Sequence, residues 1–105
     1  MEQVQVKQEQ IHQTDEKIAS LKENLDLEQY LAQKSVDMLE RLKAVRDIIS
    51  LNEYDTTEKA WQDALSNIAI FGHQLGEAMS SREQLSREID LIREDDRNNL
   101  LAELA

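Results

Sequence analysis

A chain of 105 residues with 40% apolar and 4% aromatic content holds one domain at most and has little apolar side-chain volume from which to build a self-sufficient core. Its net charge of -10 disfavours direct contact with a phosphate backbone, which needs Lys and Arg clustered on one face, so no direct nucleic-acid partner is expected. The absence of Cys removes disulfides and thiolate metal sites, and no stretch approaches the roughly 20 apolar residues of a membrane span.

The start, MEQVQVKQEQ, has no basic segment leading into an apolar run, so no cleavable signal peptide is expected. Localisation is therefore read as cytoplasmic, with export alongside a partner as the other route. There is no Pro and there are two Gly, while Glu, Gln, Leu, Ala, Lys and Arg are abundant. All of these lose little side-chain freedom in a helix, so the fold class is all-α.

The first element is a helix from about residue 3 to 51. Val4, Ile11, Ile18 and Leu25 recur every seventh position, with Leu21 in the companion row and Lys7, Thr14 and Glu28 filling the rest. A second and stronger register, Leu31, Met38, Leu42, Val45 and Ile49, runs three residues out of phase and reads as a stammer. Leu39 and Ile48 broaden the later stripe.

A turn is expected at about 52–55, where Asn52 and Asp55 compete for backbone hydrogen bonds and Asp55-Thr56-Thr57-Glu58 fits a capping box. The second helix then spans about 56–103. Its seam reads Trp61, Leu65, Ile68, Gly72, Leu75 and Met79, followed by a shift to Leu85, Ile89 and Ile92. Folding back at this turn places facing residues at numbers summing to roughly 107, so Val45 meets Trp61 and both stammers fall at one height. One antiparallel, coiled-coil-like hairpin over residues 1–105 is the architecture expected.

Two paired helices bury one stripe each, and Tyr30, Val36, Ile70, Phe71 and Leu91 lie off the mutual seam in this register. Such surplus apolar surface marks a protein interface. A partner with a helical surface, or a second copy giving a homodimer, would complete a four-helix bundle. Trp61 is placed as a core residue locking the closed end against Val45 and Ile49, with an interface anchor as the other reading. Gly72 and Gly76 have no strand before them and no Lys-Ser/Thr after them, which argues against a phosphate loop. They read instead as a small face where another helix comes close, with a kink in the helix as the other reading.

No catalytic, cofactor or metal site is expected. His12 and His73 have no second histidine at helical spacing, and Glu-x-x-His is absent. A catalytic carboxylate pair requires a cleft that separates two pKa values, which a two-helix hairpin does not offer. Glu83 with Arg87, Asp90 with Arg93, and Glu94 to Asp96 between Arg93 and Arg97 look like solvated-face pairs.

The two long helices, an aromatic near the turn and a Glu/Arg-rich second helix resemble the small helical hairpins of bacterial type VII secretion. Within that group the chain looks most like accessory proteins that bind the N-terminal helical domain of LXG-type toxins. It departs from the WXG proteins, because Trp61-Gln62-Asp63 carries no glycine and Tyr54-x-x-x-Glu58 has the export-signal spacing away from the C-terminus. The resemblance implies a non-enzymatic chaperone or targeting adaptor, with a toxin helical domain as partner. The alternative function is an acidic, phage-type or nucleic-acid-mimicking inhibitor that covers a basic groove, with Glu94, Asp95 and Asp96 in its binding face.

Overall fold

The computed structural model describes residues 2–45 and 51–105, and consists of two helices, α1 (Glu2–Ala44) and α2 (Leu51–Leu104). They pack antiparallel as an all-α hairpin. Two compact units make up the chain. A terminal unit combines Met1–Ser20 with Leu75–Ala105, and a central unit runs over Leu21–Gln74.

The helices meet ten residues nearer the N-terminus, as a sum of facing numbers, than the expected turn implies. In the terminal unit Lys7 bridges to Glu88 and Arg82 to Asp15, pairs whose numbers sum to 95 and 97 rather than 107. In the central unit Val36 lines one groove with Trp61, and Lys43 with Tyr54, which gives the same register. The cause lies at the connection, because α1 ends at Ala44 and α2 already begins at Leu51. The segment 52–55 is helix, not turn. Thr57 does not open a helix: its hydroxyl donates to the Glu53 carbonyl one turn back at 3.0 Å, which requires a helical backbone there. With neither Pro nor Gly to stop it, the Asn52–Asp55 stretch follows its neighbours into α2. At the end of α1 the amide of Val45 donates to Leu42 at 3.2 Å, and Arg41 and Lys43 in the last turn complement the helix dipole. The expected helical residues Ile48 and Ile49 lie outside the described segment.

Neither stammer is present. In α1 the inward row starting at Val4, Ile11 and Ile18 continues in phase through Leu25, Ala32 and Leu39, and its companion through Leu21, Glu28, Ser35 and Leu42, all buried or half-buried. Leu31, Met38 and Val45 instead stand exposed, at 41–45%. The same correction applies to α2. Trp61, Ile68, Leu75, Leu85, Ile89 and Ile92 do face inward as expected, but the companion row upstream is Thr57, Ala64, Phe71 and Ala78, the last three each one residue before the expected Leu65, Gly72 and Met79. Leu65 and Met79 are exposed.

Small side chains explain the displacement. Ala32 and Ala64 are buried and the register sets them opposite each other, as it sets Ser35 opposite Trp61. A buried methyl contributes about 0.8 kcal/mol where a buried Leu contributes about 1.5–3, so these layers trade apolar area for close helix approach. Among the described residues no large side chain is completely withdrawn from solvent. The polar seam positions are satisfied instead of packed: the Thr14 hydroxyl donates to the Gln10 carbonyl at 2.7 Å, and Lys7 and Arg82 reach carboxylates on the other helix.

Candidate functional site

The expected interface residues separate into three environments. Phe71 lies on the hairpin's own seam, opposite Leu25 by the register, and is half-buried there rather than off the seam as expected. Val36 and Trp61, both half-buried, line a shallow groove of the central unit with Leu39, Lys43, Tyr54 and Glu58. Trp61 thus packs near Val36 and Leu39, not near Val45, because the earlier connection slides α2 along α1. Tyr30, Ile70 and Leu91 are exposed, at 50–60%.

Gly72 and Gly76 face solvent. A Cβ built on either meets nothing within 4 Å, and neither has a positive φ, so no helix of this chain approaches them. The seam passes through Phe71 and Leu75 instead. His73 also sits on the exposed surface of α2.

Sequence reasoning missed a free apolar row by assigning three of its residues, Leu31, Met38 and Val45, to the seam. Leu27, Leu31, Met38 and Val45 form a row along α1 in the central unit, all at least 41% exposed. Beside it runs the true inward row of Ala32, Ser35, Leu39 and Leu42. The signal was a doubled stripe: apolar residues at adjacent positions, Leu31 with Ala32, Met38 with Leu39 and Leu65 with Ala64, imply two faces rather than one face that slips.

Electrostatics mark the terminal unit more than the central one. Lys7 Nζ donates to Glu88 Oε2 at 2.6 Å and Gln84 Nε2 to Glu88 Oε1 at 3.2 Å. The Lys7 hydrogen bond, then the Gln84 bond, hold the Glu88 carboxyl below the ordinary glutamate value of 4.5, with desolvation opposing them more weakly. Arg82 Nε donates to Asp15 at 2.5 Å. Further along α2, Arg87 pairs with Glu83 at 2.9 Å, and Asp90, Arg93, Glu94 and Arg97 share one surface depression. Alternating signs make this a solvated face.

Among the described residues no group of three or more His, Cys, Asp and Glu side chains is arranged to hold a metal ion, and no helix is long and apolar enough to cross a membrane. No protein-family model, curated protein or solved structure matches the chain.

Proposed function

We propose that this protein is a non-enzymatic helix-binding module, an adaptor or chaperone whose exposed apolar rows complete a helical bundle with another protein. The observation that carries the reading is the α1 row of Leu27, Leu31, Met38 and Val45, left in solvent beside a seam that is already occupied. An exposed apolar row on a helix whose inner face is satisfied has a partner helix as its economical cover. The finer proposal, from the resemblance to type VII accessory hairpins, is that the partner is the N-terminal helical domain of an LXG-type toxin and that binding targets the toxin for export.

The test mixes purified protein with such a toxin domain and follows complex formation by sedimentation. A 1:1 or 2:1 complex lost in the double variant Leu31→Gln, Met38→Gln, with helicity retained, is the expected result. No complex with any toxin domain encoded beside this gene removes the secretion proposal. The competing reading as an acidic inhibitor draws on the exposed Glu94, Asp95 and Asp96, but Arg93 and Arg97 interrupt that surface. It requires binding to a basic protein that collapses between low and moderate salt.

A further inference from the structure

We propose that the hairpin has a second register, in which α2 slides about 16 Å along α1 and the exposed rows of the central unit become its seam, while the ion pairs of the terminal unit latch the first. The rows themselves carry the inference. Leu31, Met38 and Val45 on α1 and Leu65 on α2 are all at least 40% exposed, and Gly72, one heptad beyond Leu65, has open space around its Cβ position. The ion pairs join residues whose numbers sum to 95 and 97. Sums of 106 and 107 bring the exposed rows together instead: Val45 meets Trp61, Leu42 meets Leu65, Met38 meets Ile68 and Ser35 meets Gly72. The last pair sets two small residues opposite each other, as the first register sets Ala32 and Ala64.

Both seams use Ser35, Leu42, Trp61 and Ile68, so each helix exchanges one seam for the other by turning through a single row, about 50°. On α1, Ala32 and Leu39 give way to Leu31, Met38 and Val45, and on α2, Ala64 and Phe71 give way to Leu65 and Gly72. Apolar volume gained on one helix offsets volume lost on the other. The centre of the reversal moves by about five residues, into 52–55. There Asp55-Thr56-Thr57-Glu58 supplies the capping box that the first register leaves inside α2. The terminal unit has the opposite preference. Its first register pairs Lys7 with Glu88 and Arg82 with Asp15, and sets Val4 opposite Ile92 and Ile11 opposite Leu85. The slide separates both ion pairs and brings Val4 to the height of Glu103 and Ile11 to that of Asp96. Ile18 exchanges Ala78 for Ile89, a gain that these losses exceed. Two seams of similar size in one unit and a latch in the other make a two-state element. The α1 row open to a partner helix in the first state is closed to it in the second.

The chain has no Cys, so engineered pairs in the full chain read the register directly. A disulfide needs Cα atoms within about 7 Å, and in the first register positions 42 and 65 stand about 16 Å apart along the helices. Ala32→Cys with Ala64→Cys should close in the first register. Leu42→Cys with Leu65→Cys, and separately Met38→Cys with Ile68→Cys, should close in the second, with circular dichroism showing the helices intact in the product. Adding Lys7→Glu and Arg82→Glu sets like charges in both ion pairs and should speed closure of the second-register pairs on the order of tenfold. Failure of both second-register pairs under conditions that close the Ala32 and Ala64 pair overturns the proposal. Disulfides formed between molecules, or closure only with loss of helicity, overturn it as well, because they report a second copy or an unfolded chain. Closure at the same rate with and without the two charge reversals removes the ion pairs as the latch and overturns that part.

Discussion

Lys7 occupies a seam position that an apolar residue would fill by default, and its half-buried stem still lets the ammonium reach Glu88. The pair has a pH signature. Because the folded carboxyl titrates below its ordinary value of 4.5, its contribution is complete above that value and is lost as pH falls through the lowered one. Glu88→Gln should therefore melt below the wild type at pH 7, with the gap closing at the acid end of a thermal scan series. A gap that stays constant down to the lowest pH would remove Lys7 as the cause. The glycines make a second residue-scale case. With open space at both Cβ positions, Gly72→Ala and Gly76→Ala should each raise stability by about 1 kcal/mol through helix propensity, seen as a melting temperature several degrees higher. If a partner helix uses the small face, the same variants bind it more weakly although they are more stable.

For each helix, the question is which of two adjacent rows is the seam. Ala64 is buried and Leu65 exposed, so Ala64→Glu should cost about 1–3 kcal/mol by burying an unpaired carboxylate, while Leu65→Glu should stay within about 0.5 kcal/mol. Chemical denaturation of the two variants decides it, and the reverse order would restore the seam through Leu65, Gly72 and Met79. The stammers illustrate how a correct architecture can follow from a mistaken detail. Their matched heights pointed to a hairpin, yet each was a second face read as a continuation of the first. Leu31 and Met38 outweigh Ala32 and Ser35 in any count of apolarity, because such a count weights side-chain size and not the room available between two helices.

Over the whole molecule, like charge accumulates faster than bridges compensate it. Four cross-helix or same-helix partners of Lys7, Arg82, Arg87 and His12 are acidic, but 22 acids stand against 12 bases. Raising salt from about 0.05 to 0.5 M should therefore raise the melting temperature, since screening relieves more repulsion than it weakens exposed pairs. A fall on adding salt would mean that the bridges of the terminal unit dominate. The helical class, the hairpin and the presence of surplus apolar surface were all legible in composition and periodicity, which depend on local propensity and on the 3.6-residue repeat. The position of the connection was not. Asn52, Asp55 and Thr56-Thr57 carry cap chemistry that is equally compatible with helix interior, and only the fit of one helix along the other chooses between them.

Sequence by itself therefore determined that the chain makes two long helices, that they pair, and that pairing leaves apolar rows over, because backbone propensity and stripe width are properties of each helix alone. The tertiary structure decided the five-residue earlier reversal, the alanine-lined seam and the identity of the free row. Those follow from how close two backbones can approach: small residues sink between the helices, and the larger Leu31, Met38 and Leu65 beside them are left outside.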